Sequence, residues 1–256
     1  MTEKIFIIAY YTFKEIFKSR ILYGIIFIGL AIMLSVFIAQ EFTYGAPLRV
    51  ALDVGLGLTS LSSIGIALFL GVSLLSNEIE SRTVYMIISR PIYRYQFILG
   101  KLLGLIGILI VNILILTSMM IASILFLEGK LDQIFFWSVF FTFLESLLVL
   151  LMVTFFSLLT NNIMASFFSF VLLVSGHVIS DTKDIFFVKN RPYLGKVLDL
   201  YQYVLPSFNK LNIKDFVLYK QSLAADYLIN ATVYGLAYSA FLLCLIILVF
   251  NRKNLD

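Results

Sequence analysis

Polar residues are so sparse along this chain that the places where they gather define its elements. Six apolar runs, at 21–39, 56–75, 97–127, 134–159, 163–180 and 228–250, each approach or exceed the roughly 20 residues a helix needs to cross a hydrocarbon core. The run at 97–127 is long enough to tilt or to begin in the interface. Only Thr160-Asn161-Asn162 separates the fourth run from the fifth, which predicts a tight helical hairpin. A soluble helical bundle would carry polar faces at 3.6-residue spacing, and these runs carry almost none. The pattern predicts an all-α polytopic membrane protein with six transmembrane helices.

The first twenty residues are patterned differently. Phe6, Ala9, Tyr10, Phe13, Ile16 and Phe17 recur at helical spacing, while Lys4, Thr12, Lys14, Glu15, Lys18 and Ser19 fall largely elsewhere on the wheel. This predicts an amphipathic helix over 1–20 lying in the membrane interface, with the start of a tilted first span as the alternative. Lys14, Lys18 and Arg20 resemble the basic flank of a signal peptide. However, the run at 21–39 outlasts the usual apolar region, and Phe37-Ile38-Ala39 puts bulk where a cleavage site needs a small residue. The run is therefore read as a retained span, and 21–256 as one transmembrane domain.

Basic residues set the orientation. Lys4, Lys14, Lys18 and Arg20 precede the first span and only Arg49 follows it, so the N-terminus is expected in the cytoplasm. The polar loop 76–97, with Arg82, Arg90 and Arg94, and the tail with Arg252 and Lys253 then fall on the same side. One segment runs against the rule. The loop 181–227 carries Lys183, Lys189, Arg191, Lys196, Lys210, Lys214 and Lys220, yet the span count places it outside. Within it, Leu194, Val197, Leu198, Tyr201, Val204 and Leu205 form a helical apolar stripe stopped by Pro206, and Ile213, Phe216 and Val217 follow. Short amphipathic helices there could lie on the outer surface or dip into the membrane, and a small soluble subdomain is the other reading.

Composition narrows the function classes. Hydrophobic residues make up 61% of the 256 residues, against roughly 45–50% in soluble domains, and the mean hydropathy is +1.01. The net charge of +4 is modest and its bases are scattered, which argues against nucleic-acid binding. A single cysteine, Cys244, excludes an intramolecular disulfide, and the lone His177 has no partners for a zinc site. No Gly-x-Ser-x-Gly, His-Glu-x-x-His or P-loop pattern occurs, so catalysis and ATP binding are not expected on this chain. Work would need an ion gradient or a partner. Gradient-driven carriers place several ionisable or broken-helix sites at the midplane, usually within internal repeats. This chain offers one such carboxylate and no defensible repeat.

That carboxylate is Glu145, near the middle of the fourth span, where it must be protonated, paired or facing water. Asn112 falls at similar depth on the preceding antiparallel span, and a hydrogen bond between the two is geometrically reasonable. The pair reads either as a polar point in a conduit or as a protonated Glu pinning two helices. A break in the fourth run after 137–143 is a further reading. His177, near the outer end of the fifth span, reads as a tolerated interfacial imidazole with no catalytic role. Small residues at four-residue spacing, Ala31/Ser35/Ala39, Ala67/Gly71, Gly100/Gly104 and Ala231/Gly235/Ser239, predict close helix approaches within the chain or between copies.

The sharpest polar island is Asn77-Glu78-Ile79-Glu80-Ser81-Arg82-Thr83, followed by Ser89-Arg90-Pro91-Ile92-Tyr93-Arg94 and Gly100-Lys101. Mixed charge around a proline break suits a rigid lever that docks in a groove, although an ordinary solvated loop fits the chemistry equally. With these residues the chain resembles the ABC-2 type permeases, the membrane subunits of bacterial ABC transporters. The likeness takes in Phe13-Lys14-Glu15-Ile16-Phe17-Lys18-Ser19-Arg20, Leu205-Pro206-Ser207-Phe208-Asn209-Lys210-Leu211-Asn212, Tyr234-Gly235 and Phe250-Asn251-Arg252-Lys253-Asn254-Leu255. It is nearest the small subfamily that includes the permease of nitrous-oxide-reductase maturation.

The resemblance implies a six-helix subunit of the bacterial cytoplasmic membrane with both termini cytoplasmic. It implies a second permease copy or sister permease, and a cytoplasmic ATPase that holds the ATP and magnesium. The loop after the second span would be the coupling helix, with Glu78, Glu80, Arg82, Thr83 and Arg94 as contacts and Ser89, Arg90 and Pro91 setting the turn. Parts of 185–217 would form short outer helices. Three functions fit: an export-type permease, a subunit that drives an extracytoplasmic partner mechanically, and an ATP-independent carrier that uses Glu145.

Overall fold

The computed structural model describes residues 2–18, 21–42, 47–80, 93–182, 193, 198, 205–219 and 222–252. Among these, every regular element is helical: α1 (Thr2–Phe17), α2 (Ile21–Phe42), α3 (Pro47–Glu80), α4 (Arg94–Phe126), α5 (Gln133–Leu159), α6 (Asn162–Thr182), a 3-10 turn (Phe208–Leu211), α7 (Lys214–Leu218) and α8 (Ala225–Arg252). Among the described residues, four helical stretches are long and apolar enough to cross a membrane: Leu48–Val72, Arg94–Phe126, Gln133–Leu159 and Ala225–Arg252. Two further apolar stretches, Tyr23–Ile38 and Asn162–Val178, are shorter. The fold is all-α and polytopic.

The helices overrun the apolar runs that announce them. α3 has 34 residues, about 51 Å of helix against roughly 30 Å of hydrocarbon. It therefore carries its charged end, Asn77 to Glu80, as continuing helix, where the sequence reading begins a loop at 76. Glu favours helix and no proline intervenes before Pro91, so leaving the apolar phase does not end the helix. α4 begins at Arg94, inside the same expected loop.

The core is built around α5, the most buried of the long helices. It packs against α3, α6 and α8, and α4 closes the ring. In lipid such packing draws on close contact and hydrogen bonds more than on removal of apolar surface from water. Gly71 shows how close the approach is: a Cβ there would lie 2.9 Å from Val153 Cβ and 3.2 Å from the Leu150 carbonyl oxygen. Ala67, at the other end of this small-residue pair, is fully buried. The pair at 67 and 71 is thus an internal contact between α3 and α5.

α1 does more than rest on a surface. Ile5, Ile8, Ala9, Thr12 and Phe13 turn toward α4, whose Gly100, Gly104 and Gly107 receive them. A Cβ on Gly100 would stand 2.7 Å from Ile8 Cβ, and one on Gly104 would stand 2.7 Å from Thr12 Cβ and 2.8 Å from the Ala9 carbonyl oxygen. The packed stripe is rotated from the one read in the sequence. Thr12 is buried, while Phe6 and Tyr10 are exposed, because glycine seats accept small and β-branched residues more closely than rings.

Candidate functional site

Two regions collect the polar chemistry. The first is the end of the bundle where α4 starts and α8 stops. The Tyr93 N–H donates to Gln96 Oε1 at 3.2 Å, which fixes the first turn of α4. Arg94 Nη1 donates to the Asn251 carbonyl oxygen at 3.4 Å, placing a cation at the negative end of α8. One turn deeper, Phe97 and Phe250 stack with ring centroids 6.3 Å apart, both buried. The glycine seat for α1 begins at Gly100. The first two turns of α4 thus meet both the α1 seated on them and the end of α8.

Of the residues expected to make the coupling contact, Arg94 sits in this junction. Glu78 and Glu80 lie in the last turn of α3. Arg82, Thr83, Ser89, Arg90 and Pro91 fall outside the described residues.

The second region is intramembrane, and here the structure corrects the expected pairing. Asn112 and Glu145 have separate partners. Fully buried Asn112 donates through Nδ2 to Ser63 Oγ at 2.9 Å and accepts from Ser62 Oγ at 3.3 Å. Ser63 Oγ in turn donates to the Thr59 carbonyl oxygen at 2.8 Å. The polar link therefore joins α4 to α3. α3 brings a run of small hydroxyl residues to this depth, and these satisfy a buried amide without forcing the backbones apart.

Glu145, 2% exposed, meets His177 instead: Oε1 and Nε2 are 3.2 Å apart. His177 is no interfacial bystander. Its Nδ1 lies 3.1 Å from the Leu173 carbonyl oxygen, and its ring lies flat on Phe208, 5.8 Å between centroids and 2° between planes. Phe208 is fully buried. It arrives on the segment 205–211, which enters the bundle against α5 and α6 instead of lying over it. Leu211 and Ile213 are buried alongside. Gly176 admits the segment: a Cβ there would stand 2.6 Å from the Pro206 carbonyl oxygen and 2.7 Å from Phe208 Cδ2.

α8 clasps the same segment from the other side. The Ser207 N–H donates to Tyr234 Oη at 2.8 Å, Tyr227 Oη donates to the Lys210 carbonyl oxygen at 3.1 Å, and Lys210 Nζ lies 4.5 Å from the centre of the Tyr234 ring. This last contact has the geometry of a cation–π pair. Two motifs far apart in sequence, Leu205-Pro206-Ser207-Phe208 and Tyr234-Gly235, thus meet at one site. The apolar stripe at 194–205 lies outside the described residues, except for Leu198 and Leu205.

Among the described residues, no group of three or more His, Cys, Asp or Glu is placed to hold a metal ion. These regions offer packing and hydrogen bonding: a junction at one end, the Glu145–His177 contact toward the other, and α5 and α8 running between them.

A chain of several long apolar helices packed in this way is a multi-pass membrane protein. Residues 54–175 match the family described as ABC-2 family transporter protein. That stretch, just under half of the chain, is what the chain shares with the family. It holds Glu78, Glu80, Arg94, Asn112 and Glu145, and it stops just short of His177. No curated protein matches the sequence.

Proposed function

We propose that the chain is the permease subunit of an export-type ABC transporter of the bacterial cytoplasmic membrane. Its six spans are α2, α3, α4, α5, α6 and α8, with α1 at the cytoplasmic interface and both termini inside. A separate ATPase supplies the energy. It docks on the stretch from Glu78 to Arg94, where Glu78, Glu80, Arg82, Thr83 and Arg94 make contact and Ser89, Arg90 and Pro91 set the turn. The permease acts as a dimer with a second copy or a sister subunit.

The observation that carries this reading is the junction at Arg94. The chain that leaves the charged end of α3 returns at Arg94, where the first turns of α4 meet both α1 and the end of α8. A lever attached there moves the bundle as a unit, whereas a lever attached to a lone helix end would only bend it.

The test is co-expression with the neighbouring genes and extraction in mild detergent. An ATPase should co-purify, and Glu78→Ala with Glu80→Ala should weaken its binding or its permease-stimulated hydrolysis. Failure of any ATPase to bind under any condition defeats the proposal.

A second reading has its own observation. The segment 205–211 is locked between α5, α6 and α8, so motion of the bundle would be handed directly to the outer loop. On that reading the subunit drives an extracytoplasmic partner without bulk transport. Deleting the loop beyond the locked segment would then abolish a protein contact while ATP hydrolysis continues.

A further inference from the structure

The N-terminal parts of α5 and α8 line a groove in two chambers. The larger, about 680 Å³, is lined at one end by Asp132, Gln133 and Ser222 and deeper in by Trp137 and Leu228. The smaller, about 400 Å³, continues from the shared Gln133 and Trp137 to Phe140 and Thr232. Both volumes fall in the range of roughly 300–1,000 Å³ typical of small-molecule sites.

The lining changes character along its length. Asp132 and Gln133 stand at the very start of α5, and Ser222 stands just before α8. Trp137 and Phe140 follow on one face of α5 at helical spacing from Gln133. A polar mouth above an aromatic slot, with a Trp at the boundary, matches the cross-section of a bilayer at the headgroup level. The one charged group in the described lining is a carboxylate, Asp132.

We propose that this groove binds one phospholipid with an amine-bearing zwitterionic headgroup. The ammonium lies at Asp132, the polar linkage lies beside Gln133 and Ser222, and an acyl chain runs past Trp137 toward Phe140. The site uses residues that neither the junction nor the Glu145–His177 contact employs, and it stands whichever partner drives the permease. A bound chain here wedges between the two helices that reach from the junction to that contact.

The chain carries a single tryptophan, Trp137, and it lines both chambers, so its fluorescence reports on the groove alone. The full chain is reconstituted in vesicles with a graded fraction of lipid brominated on the acyl chain and carrying an ethanolamine, choline or glycerol headgroup. Brominated phosphatidylethanolamine should reach half-maximal quenching at a mole fraction lower than brominated phosphatidylglycerol by about threefold, the size of one exposed ion pair. Asp132→Asn should abolish that preference and leave quenching itself in place. Ala225→Phe, which fills the larger chamber, should raise the half-quenching fraction, and Ser222→Phe serves the same purpose should Ala225→Phe fail to fold. Quenching that follows bromine content equally for all three headgroups and ignores the filling variants would overturn the site, because Trp137 would then face ordinary boundary lipid. Stronger quenching by the anionic lipid would overturn the headgroup assignment.

Discussion

The Glu145 carboxyl and the His177 imidazole meet in one hydrogen bond, 3.2 Å from Oε1 to Nε2, where a buried carboxyl faces a partly exposed ring. The other ring nitrogen fixes what that bond contains. Nδ1 faces a backbone carbonyl, which only accepts, so Nδ1 carries a proton. With Nδ1 protonated, a hydrogen bond between Nε2 and Oε1 needs one further proton. On nitrogen it gives an imidazolium and a carboxylate; on oxygen it gives a neutral imidazole and a carboxylic acid. Both forms have no net charge, which is what a low-dielectric interior tolerates.

A structural latch and a proton-carrying site respond differently to conservative change. Glu145→Gln keeps a polar partner, its amide N–H donating to the Nε2 that protonation at Nδ1 leaves bare, and should leave most of the stability and the partner-driven activity intact. Glu145→Leu leaves Nε2 without a partner and should cost about 1–3 kcal/mol. Thermal unfolding in detergent gives the ranking. Activity lost with Gln while stability is retained would instead favour a carrier that uses the proton.

The latch makes a prediction about access. Leu211 is 2% exposed because Phe208 and its neighbours are drawn in beside Gly176. In a Cys244→Ser background, Leu211→Cys should react slowly with a membrane-impermeant maleimide. Adding Gly176→Val should force the Pro206–Phe208 backbone away and raise that rate by an order of magnitude or more, about 1.4 kcal/mol of local opening per tenfold. Reaction only from the outside of sealed vesicles would also fix the side on which the segment lies.

At the junction, the close-packed glycines of α4 should prove unequal to the open Gly24 of α2. Gly104→Leu drives a side chain into Thr12 and the Ala9 carbonyl and should cost about 1–3 kcal/mol through overpacking. Limited trypsin digestion should then cut sooner at Lys14 as α1 lifts from its seat. Gly24→Ala is the control, since a Cβ there meets nothing within 4 Å. Loss of ATPase stimulation in the first variant and its retention in the second would tie α1 to the transmission of force.

Helical class and the positions of the long helices were legible because apolar runs of this length have few alternatives. Their ends were not, since α3 continues as helix through Glu78 and Glu80 on propensity alone, where hydropathy has already fallen. The intramembrane site was half legible. Depth can be counted from a turn: Asn161 stands midway in sequence between Glu145 and His177, so the α5–α6 hairpin sets the two at one level, and that symmetry was the available signal for His177. Asn112 and Glu145 are nearly symmetric about the turn between α4 and α5 as well, and there the count misleads. Depth brings two side chains to one level, but the rotation of each helix decides whether they face, and rotation is set by packing against third elements. α4 turns Asn112 to the hydroxyls of α3, and the entry of Phe208 holds His177 toward α5.

That distinction between level and facing can be measured with two double-mutant cycles. Asn112→Leu removes hydrogen bonds to Ser62 and Ser63, each about 0.6 kcal/mol in a membrane interior and at most about 1.7. Combined with Ser63→Ala, it should show a coupling of about 0.5 kcal/mol or more, because the two residues share one bond. Combined with Glu145→Leu, the losses should add to within about 0.3–0.5 kcal/mol, because the two side chains hold different partners. Unfolding from mild into denaturing detergent supplies all four corners of each cycle. A strong coupling between positions 112 and 145, with none between 112 and 63, would restore the direct hydrogen bond that antiparallel depth suggests. It would also require α4 to be rotated from the arrangement described.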